Sequence, residues 1–370
     1  MSVDTPESVH PRLLFSVEGT RFEFIRKLGQ RNTGELVLAR RRYGKGPAGP
    51  VLIKQLARPH NARQLQRLKE EAQLAYRLDH PAIAKVHQLV MHEGLPYMVM
   101  EHVEGSSLET VMSLAALRQK RMSESFACYV ISEVAEALHH AHTLTDEHGR
   151  PLELVHRDVN PANIRVGLNG EVKLVDFGVA CSLLPGREAT TASVLRGDIA
   201  YASPERMRLE KVDARSDLFS LGLVLLELLT GNHLYDVEEV ERAASEGEPL
   251  TEWDFPVCEE PSWAPVSEIA ARIERFVPED VERAARGVSE QLRAVVHRAL
   301  RREPAERFSS GLELRDALRP FLAVQGQPYG RPEVAREVLL AVTEAELLRE
   351  SADVLELDVF PEVSRRSSEH

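Results

Sequence analysis

The sequence has few of the features that mark secreted, membrane-spanning or metal-stapled proteins. Its 370 residues include only three cysteines, Cys128, Cys181 and Cys258, with no CxxC spacing. We therefore expect ordinary buried thiols rather than a disulfide framework or a zinc site. Long apolar runs are also missing. The most apolar stretch, residues 218–230, is too short to cross a bilayer and contains Glu227, so it predicts a buried core helix and no membrane span.

Basic residues are fewer than acidic residues. The chain has 46 Lys and Arg against 58 Asp and Glu, a net charge of −12, and no dense basic stripe. Because an acidic chain repels the phosphates of nucleic acids and the surface of anionic membranes, we expect no nucleic-acid partner. The N-terminal segment contains Asp4 and Glu7 and lacks the apolar core of a signal peptide, so we expect a cytoplasmic protein.

The first part of the chain has the patterns of a sheet with one helix. Alternating apolar residues predict strands within residues 21–55, and a Gly- and Pro-rich stretch at residues 43–50 predicts a hairpin loop. Apolar residues spaced by three and four predict a helix over residues 61–78. A buried strand is predicted at residues 97–100.

After Ser107 the patterns become mainly helical. Ser123 is the predicted N-cap of an amphipathic helix, and the chain beyond residue 205 is predicted to be helical to about residue 322. Asn169-Gly170 predicts a hairpin turn. Short strands are predicted at residues 153–155, 164–166 and 172–175.

The last segment contains a predicted helix with Val334, Val338 and Val342 on one face. The sequence leaves open whether this tail docks on the rest of the chain or recruits a partner protein.

A single loop holds the most informative motif, His156-Arg157-Asp158 followed by Asn163. Phosphoryl transfer needs a carboxylate beside the attacking hydroxyl and an oxygen ligand for a metal, and this spacing supplies both. Asp158 is the candidate to accept or orient the substrate proton, and Asn163 is a candidate Mg²⁺ ligand. A chance match in a surface loop is the alternative.

Two charged residues follow predicted strands. Asp176 begins a DFG tripeptide after residues 172–175 and lies 13 residues beyond Asn163, where a carboxylate suits a metal that bridges phosphates. Lys54 ends the strand Val-Leu-Ile-Lys. Either feature alone carries little information, and a lysine at the end of an apolar strand is often only a surface charge. The Asp176 tripeptide becomes informative when it is paired with the His156-Arg157-Asp158 motif at this spacing.

Gly29 and Gly34 lie between the first strands, in the segment Gly-Gln-Arg-Asn-Thr-Gly. Glycines allow backbone N–H groups to approach phosphates closely.

Together these motifs resemble those of the eukaryotic-like serine/threonine protein kinases of bacteria. The resemblance covers roughly residues 19–322. The insertion at residues 146–156 is similar to the myxobacterial branch of that family.

The resemblance implies an α+β, protein-kinase-like fold with two lobes. The N-lobe (residues 19–102) would be a small, mainly antiparallel sheet with one major helix, and the C-lobe (103–322) would be larger and mainly helical. A flexible N-terminal segment (1–18) and a C-terminal helical tail (323–370) would flank them.

Each motif residue acquires a role from the resemblance. Glu71 would orient Lys54 toward the α- and β-phosphates, with the adjacent Glu70 as the alternative partner. Asn163 and Asp176 would be the metal ligands. The implied catalytic set is Asp158, Lys54, Glu71, Asn163 and Asp176.

ATP and Mg²⁺ are the implied cofactors, with Mn²⁺ as an alternative metal. The carbonyl of Glu101 and the N–H of Val103 would face adenine, beside Met100 as the gatekeeper. The implied nucleotide contacts are Leu28, Gly29, Gly34, Val37, Leu52, Lys54, Met100, Glu101 and Val103.

Residues 176–205 resemble an activation segment that ends in Ala-Ser-Pro-Glu, and Arg307 would pair with Glu205. Asp217 would brace the catalytic loop, although an aspartate at a helix start can also be a simple cap. Candidate phosphorylation sites that could dock on Arg157 are Thr190, Thr191 and Ser193. The alternative for these three is a loop that happens to be rich in hydroxyls.

Four positions depart from the family pattern. Arg31, Leu52, Asn160 and Asp198 stand where the family usually has glycine, alanine, lysine and threonine. The lysine normally contacts the γ-phosphate, and the threonine helps to tie the catalytic aspartate to the substrate loop. How far these changes reduce nucleotide affinity and turnover is left open.

Three functions compete. The first is an ATP-dependent protein serine/threonine kinase that also phosphorylates itself. The second is a pseudokinase that acts as a nucleotide-binding or scaffold module. A small-molecule kinase of the same fold is third, and the complete activation segment argues against it. Expected partners are protein substrates, with a regulatory protein or a second copy of the chain as further candidates.

Overall fold

The computed structural model describes residues 13–31, 34–44, 46–56, 58–59, 61–177, 199–236, 266–324 and 327–358.

The first part of the chain forms one antiparallel sheet with the strand order β1-β2-β3-β4-β6-β5. One helix, α1 (Ala62–Arg77), connects β4 to β5 and packs on β5. The strands are β1 (Leu13–Val17), β2 (Thr20–Arg31), β3 (Gly34–Tyr43), β4 (Gly46–Gln55), β5 (Val86–His92) and β6 (Leu95–Glu101).

The predicted flexible segment 1–18 needs a correction, because residues 13–17 are part of this sheet. β1 pairs with β2, and Phe15 lies opposite Phe22. Phe15 is 4% exposed and its ring is 5.0 Å from that of Phe22 and 5.1 Å from that of Tyr97. Burial of this aromatic side chain stabilises an edge strand that the prediction left out.

The second part of the chain is mainly helical, as predicted. Its helices are α2 (Leu108–Leu117), α3 (Glu124–His142), α4 (Pro204–Met207), α5 (Ala214–Thr230), α6 (Val266–Arg275), α7 (Pro278–Ala284), α8 (Glu290–Ala299) and α9 (Gly311–Leu318). A small sheet accompanies them, with β7 (Gly105–Ser107), β8 (Ile164–Gly167) and β9 (Val172–Leu174) in that order.

Helices α3 and α5 form the centre of the C-lobe core. The Ser123 side chain caps α3 as predicted, accepting a hydrogen bond from the Phe126 N–H at 3.1 Å. Asp213 caps α5 in the same way, and α5 ends at Gly231 with a φ of 75°. The stretch 218–230 belongs to α5 and is almost wholly buried, as its apolar character predicts.

The predicted strand at residues 153–155 does not form. Glu153 has a φ of 44°, and a residue in the left-handed region interrupts an extended run. Leu152 and Leu154 are nevertheless buried, so the apolar pattern serves the core rather than a sheet. The Asn169-Gly170 turn between β8 and β9 is confirmed.

The tail after residue 322 forms a short hairpin, β10 (Ala323–Val324) with β11 (Gln327–Pro328), and a long helix, α10 (Arg331–Asp358). This tail docks on the C-lobe through α2 and the start of α3. The Glu337 carboxylate accepts hydrogen bonds from the Ser123 N–H at 2.6 Å, the Ser123 hydroxyl at 2.8 Å and the Tyr329 hydroxyl at 2.5 Å. Arg118 pairs with Glu344 at 2.7 Å. Docking is therefore the alternative that these contacts favour.

The predicted α+β arrangement, a small antiparallel sheet with one helix followed by a larger helical part, is confirmed. None of the helices within the described ranges is long and apolar enough to cross a bilayer.

Candidate active site

Asp158 and Asn163 face each other across the loop that leads into β8. The Asn163 amide Nδ2 donates to Asp158 Oδ2 and to the Asp158 carbonyl, each at 2.8 Å. Asn163 is 1% exposed and ends a single 3₁₀ turn, Pro161–Asn163. The loop therefore holds a carboxylate and an amide in one fixed arrangement.

Asn160 caps that turn. Its Oδ1 accepts from the Asn163 N–H at 3.1 Å, and its Nδ2 donates to Asp158 Oδ1 at 3.0 Å. In the family pattern Asn160 is visible only as a missing lysine. An asparagine directly before Pro161 is a typical N-cap followed by proline at the first helical position, and this pattern could have revealed the cap.

Asp217, at the start of α5, braces the loop from behind. Its carboxylate accepts from the backbone N–H groups of His156 and Arg157, each at 2.8 Å, and from His142 Nε2 at 2.8 Å. Burial opposes the charged form of Asp217, but its hydrogen bonds with His142 and the Arg157 N–H and its electrostatic interactions with His142 and His156 outweigh this effect, so the pKa of Asp217 is lowered. The bracing geometry implied by the family resemblance is present, and it goes beyond a simple helix cap.

Lys54, at the end of β4, reaches Asp176 from the opposite side. Its Nζ donates to both carboxylate oxygens of Asp176, at 2.9 and 2.7 Å. Lys54 is 8% exposed, whereas the Asp176 side chain retains 25% of its exposure. The pair thus joins a sheet of the N-lobe to the strand end of the C-lobe.

Backbone contacts bring the two pairs together. The Val175 N–H donates to the Asn163 carbonyl at 2.9 Å, and Asp176 is the next residue. His156 Nε2 donates to the Val175 carbonyl at 3.1 Å. Lys54, Asp176 and the loop that carries Asp158 and Asn163 therefore converge from three distant parts of the sequence.

Two residues at this junction have unusual backbone angles. Arg157 has a φ of 66° and Asp176 a φ of 62°. Left-handed angles at residues other than glycine are costly and concentrate at functional sites. Here the Asp217 carboxylate holds the first and the Lys54 ion pair holds the second.

The predicted partners of Lys54 in α1 are only partly described. The backbone of Glu71 belongs to α1, but its side chain lies outside the described residues. Glu70 Oε1 accepts from Gln66 Nε2 at 3.0 Å on the exposed side of the helix, which argues against Glu70 as the partner of Lys54.

The strand register corrects one predicted nucleotide contact. Leu36 lies opposite Lys54, and Val37 lies opposite Ile53. Directly opposed residues share a face and successive residues alternate, so Val37 faces away from Lys54. Val37 is 9% exposed, on the same face as the buried Ile53. Leu36, which was not among the predicted contacts, occupies the cleft side.

The same register agrees with two other predicted nucleotide contacts, Leu52 and Met100. Leu52 lies opposite Leu38 on one side and Met100 on the other, so all three share the cleft-side face. Leu52 and Met100 are half-buried. A leucine here fills space that the family's alanine would leave open.

The glycine segment is described by its backbone. Gly29 pairs with Leu36 across β2 and β3, and Arg31 pairs with Gly34. Leu28 is 38% exposed near this end of the sheet. Residues 32 and 33 and the side chain of Arg31 lie outside the described residues.

The connector between the lobes is anchored by ion pairs and carbonyl contacts. The Glu101 carboxylate accepts from Lys173 in β9 at 2.9 Å and from the Lys85 N–H at 3.0 Å. Arg165 in β8 donates to the carbonyls of Val103 at 3.3 Å and Gly105 at 2.5 Å. Glu101 and Val103, the predicted adenine contacts, are thus held by side chains of the two strands that follow the catalytic loop.

The donor set suits a magnesium ion bound together with phosphates. Asn163 and Asp176 offer hard oxygen atoms, and Mg²⁺ typically takes one or two protein oxygens and completes its shell with water and phosphate. The described residues contain no cluster of three or more His, Cys, Asp and Glu that could hold a metal. The residues present therefore fit a metal that arrives with a nucleotide better than a resident metal cage.

Glu205 and Arg307 form the predicted pair deep in the C-lobe. Two hydrogen bonds of 2.8 and 2.7 Å join them, and their side chains are 5% and 0% exposed. Ser216 Oγ also donates to Glu205. The pKa of Glu205 is lowered overall. Burial alone would raise it, but the hydrogen bonds and the charge of Arg307 outweigh the effect of burial.

Several predicted positions lie outside the described residues. They are the phosphorylation candidates Thr190, Thr191 and Ser193, the substrate-loop position Asp198, and two of the cysteines, Cys181 and Cys258. Cys128 is a buried free thiol, and burial raises its pKa to about 12.

A family model described as the protein kinase domain matches residues 22–319. The serine/threonine-protein kinase PknB of Mycolicibacterium smegmatis is 34% identical over 322 residues, which cover 85% of this chain and 44% of that protein. The tyrosine-protein kinase MasK of Myxococcus xanthus is 35% identical over 213 residues, 56% of this chain and 32% of that protein. The chain spans less than half the length of these curated relatives.

A solved structure, the PknI kinase domain of Mycobacterium tuberculosis, has a similar fold. It aligns with a TM-score of 0.51 and 24% identity, covering 83% of this chain and 98% of that domain. At this identity the likeness concerns the fold alone.

Proposed function

The chain belongs to the protein kinase domain family of bacteria, and from this premise we propose that it is an ATP-dependent protein kinase. It would transfer the γ-phosphoryl group of Mg-ATP to serine and threonine hydroxyls of proteins, including its own. This family membership confirms the resemblance that the sequence motifs indicated.

One observation carries this proposal. Asp158, Asn163, Asp176 and Lys54 are brought together by hydrogen bonds among themselves and through the Val175 backbone. Phosphoryl transfer depends mainly on positioning and electrostatic stabilisation, and these groups supply both.

Each residue has a distinct task in this proposal. Asp158 would accept or orient the proton of the attacking hydroxyl. Asn163 and Asp176 would hold Mg²⁺, which supplies positive charge on the phosphate oxygens. Lys54 would move from Asp176 toward the phosphates when nucleotide binds, and Glu71 would then be its proposed partner.

The adenine would lie between the two lobes. We assign Leu28, Leu36, Leu52 and Met100 to the apolar walls of this slot, with Leu36 in place of Val37 because of the strand register. Glu101 and Val103 would offer their backbone groups to the base.

A tyrosine hydroxyl is an alternative acceptor, because one similar protein is described as a tyrosine-protein kinase. A pseudokinase is the second candidate function. It is supported by Leu52, which lies on the cleft-side face between Leu38 and Met100 and is bulkier than the alanine usual in the family.

The experiment incubates the purified full chain with Mg-ATP and a generic basic protein, and mass spectrometry then locates phosphate. We expect phosphoserine and phosphothreonine from the wild type. The isosteric variants Asp158→Asn and Asp176→Asn should fold and transfer almost no phosphate. If the wild type yields only phosphotyrosine, the acceptor is tyrosine and not serine or threonine.

The pseudokinase predicts a different result. All three proteins would then be equally silent, while nucleotide would still raise the melting temperature of the wild type through binding to the folded state. A silent wild type that nucleotide does not stabilise would contradict the kinase and the nucleotide-binding pseudokinase, and would leave only a scaffold without nucleotide.

A further inference from the structure

Asn160 stands where the family has a lysine, and its contacts differ in kind from those of a lysine. We propose that Asn160 is a positioning residue, which orients the Asp158 carboxylate toward the substrate hydroxyl instead of contacting the phosphates. This inference rests on the proposed kinase function and extends it to a residue that the family pattern does not assign to this task.

The hydrogen bonds fix which way the Asn160 amide points. Its Oδ1 accepts from the backbone N–H of Asn163 at 3.1 Å, and an N–H donor requires an oxygen there. The amide nitrogen must then face Asp158, where it lies 3.0 Å from Oδ1 and 3.4 Å from the backbone carbonyl. Asn160 is 5% exposed, so water is largely excluded from these contacts.

The two oxygens of Asp158 are each held by a different amide. Asn160 Nδ2 donates to Oδ1, and Asn163 Nδ2 donates to Oδ2 at 2.8 Å. A carboxylate oxygen has more than one lone-pair site, so each can still accept a bond from a substrate hydroxyl. Two amides on opposite oxygens leave the carboxylate plane little rotational freedom.

A lysine could not make this arrangement. Its ammonium group has three donors and no acceptor, so it could not cap the Asn163 N–H. With asparagine, the same position links Asp158 and Asn163 into one unit, while the charge on the phosphates is left to Lys54 and the metal. The cost of losing Asn160 should therefore appear in kcat rather than in the KM for ATP.

The first test is Asn160→Asp, which keeps the shape and the oxygen that caps Asn163 but removes the amide donor. Hydrogen bonds to charged groups are strong enough that we expect kcat to fall about tenfold to a hundredfold. The KM for ATP should change by less than about twofold, because uniform binding of the nucleotide is untouched.

The same variant has a second readout that a purely structural role would not move. Two carboxylates facing each other disfavour double ionisation, so the acidic limb of the kcat–pH profile should shift to higher pH. Asn160→Ser, which is neutral and retains a hydroxyl oxygen, should lower kcat without that shift. Asn169→Asp, an exposed asparagine in the β8–β9 turn, is the matched control and should leave kcat and the profile unchanged.

Circular dichroism and nucleotide-induced stabilisation establish that each variant is folded and binds ATP. An active wild type together with an Asn160→Asp variant of unchanged kcat and unchanged pH profile overturns the inference and leaves the proposed function standing. A wild type that transfers no phosphate under conditions where it binds Mg-ATP removes both.

Discussion

Two ion pairs in the molecule contain the same kinds of charge but are built for different purposes. Lys54 and Asp176 meet at the cleft, with side chains 11% and 25% exposed, whereas Arg307 and Glu205 meet in the C-lobe at 0% and 5%. The Lys54 ammonium gives two bonds to one carboxylate. The Arg307 guanidinium uses all five of its N–H donors.

The additional partners of Arg307 explain the difference. Besides Glu205, it donates to the carbonyls of Arg301 at 2.7 Å, Arg302 at 2.8 Å and Arg215 at 3.1 Å. A planar guanidinium can satisfy such a set at once, and an ammonium cannot. One pair is therefore locked into the backbone around it. The other pair is joined by hydrogen bonds between side chains, and under the proposed function Lys54 would exchange Asp176 for a phosphate.

Breaking the locked pair should have the largest effect. Arg307→Met leaves the Glu205 carboxylate buried without its cation, so we expect the free energy of unfolding to fall by about 3–5 kcal/mol. Urea unfolding followed by circular dichroism measures this loss.

Two further variants sharpen that result. The double variant Glu205→Gln/Arg307→Met removes the stranded charge and should recover part of the stability. Arg307→Lys retains the charge but loses the fork of donors, and it should remain clearly less stable than the wild type. If Arg307→Met unfolds at the same urea concentration as the wild type, the pair is not locked.

Breaking the exchangeable pair should affect transfer rather than stability. Lys54→Met removes one electrostatic stabiliser of the transferring group, and we expect kcat/KM to fall about 10²–10³-fold. The melting temperature should hardly change, because Asp176 is exposed enough to be hydrated.

The control for this prediction is Lys85→Met. Lys85 pairs with Asp79 at 3.0 Å on the surface, with side chains 55% and 78% exposed, and its loss should alter neither quantity. If Lys54→Met unfolds as readily as the Arg307 variant, the contrast between the two pairs fails.

His233 extends the contrast to a group that the C-lobe keeps neutral. Burial lowers its pKa to about 4, against a weak opposing hydrogen bond to Ala200. Its ring lies 5.1 Å from each of Tyr201 and Tyr235. Because the folded pKa is below the ordinary value of 6.5, the unfolded chain binds the proton first as pH falls.

The contribution of His233 is thus complete above pH 6.5 and is lost as pH falls toward about 4. Across that window, preferential protonation of His233 in the unfolded chain should lower the free energy of unfolding by about 1.4 kcal/mol for each unit by which the pH falls. Unfolding at several pH values should show a flatter dependence in His233→Gln. The exposed His148→Gln serves as the control and should keep the wild-type slope.

Local patterns predicted much of this molecule. Caps and turns such as Ser123 and Asn169-Gly170 depend on neighbouring residues, so the sequence contains the whole signal. The strand register is different, because it depends on pairing with residues of a neighbouring strand. Assigning Val37 instead of Leu36 to the cleft is a shift of one residue, and the pairing with β4 shows that Leu36 shares the face of Lys54. The spacing of the family's glycine loop, which has its valine two residues after the third glycine, would have pointed to Leu36 as well.

Long-range contacts account for the remaining differences. Strand β1 is stable because Phe15 packs on residues from β2 and β6, and no local pattern reports that contact. The apolar residues around Glu153 predicted a strand, although burial in the C-lobe core holds them in another conformation. The role of Asn160 was hidden because a family comparison registers a lost lysine and not a gained cap.

The smallest expected effect concerns the docked tail, where a single carboxylate holds three donors. Glu337→Ala leaves the Ser123 and Tyr329 groups without this acceptor, and we expect a loss of about 1–2 kcal/mol in unfolding free energy. Leu339→Ala, on the same helix and 67% exposed, should change it by less than about 0.5 kcal/mol. Equal, negligible effects of both variants would mean that α10 contributes little to the C-lobe. A loss confined to Glu337→Ala would place the tail within the cooperative unit that contains the locked pair.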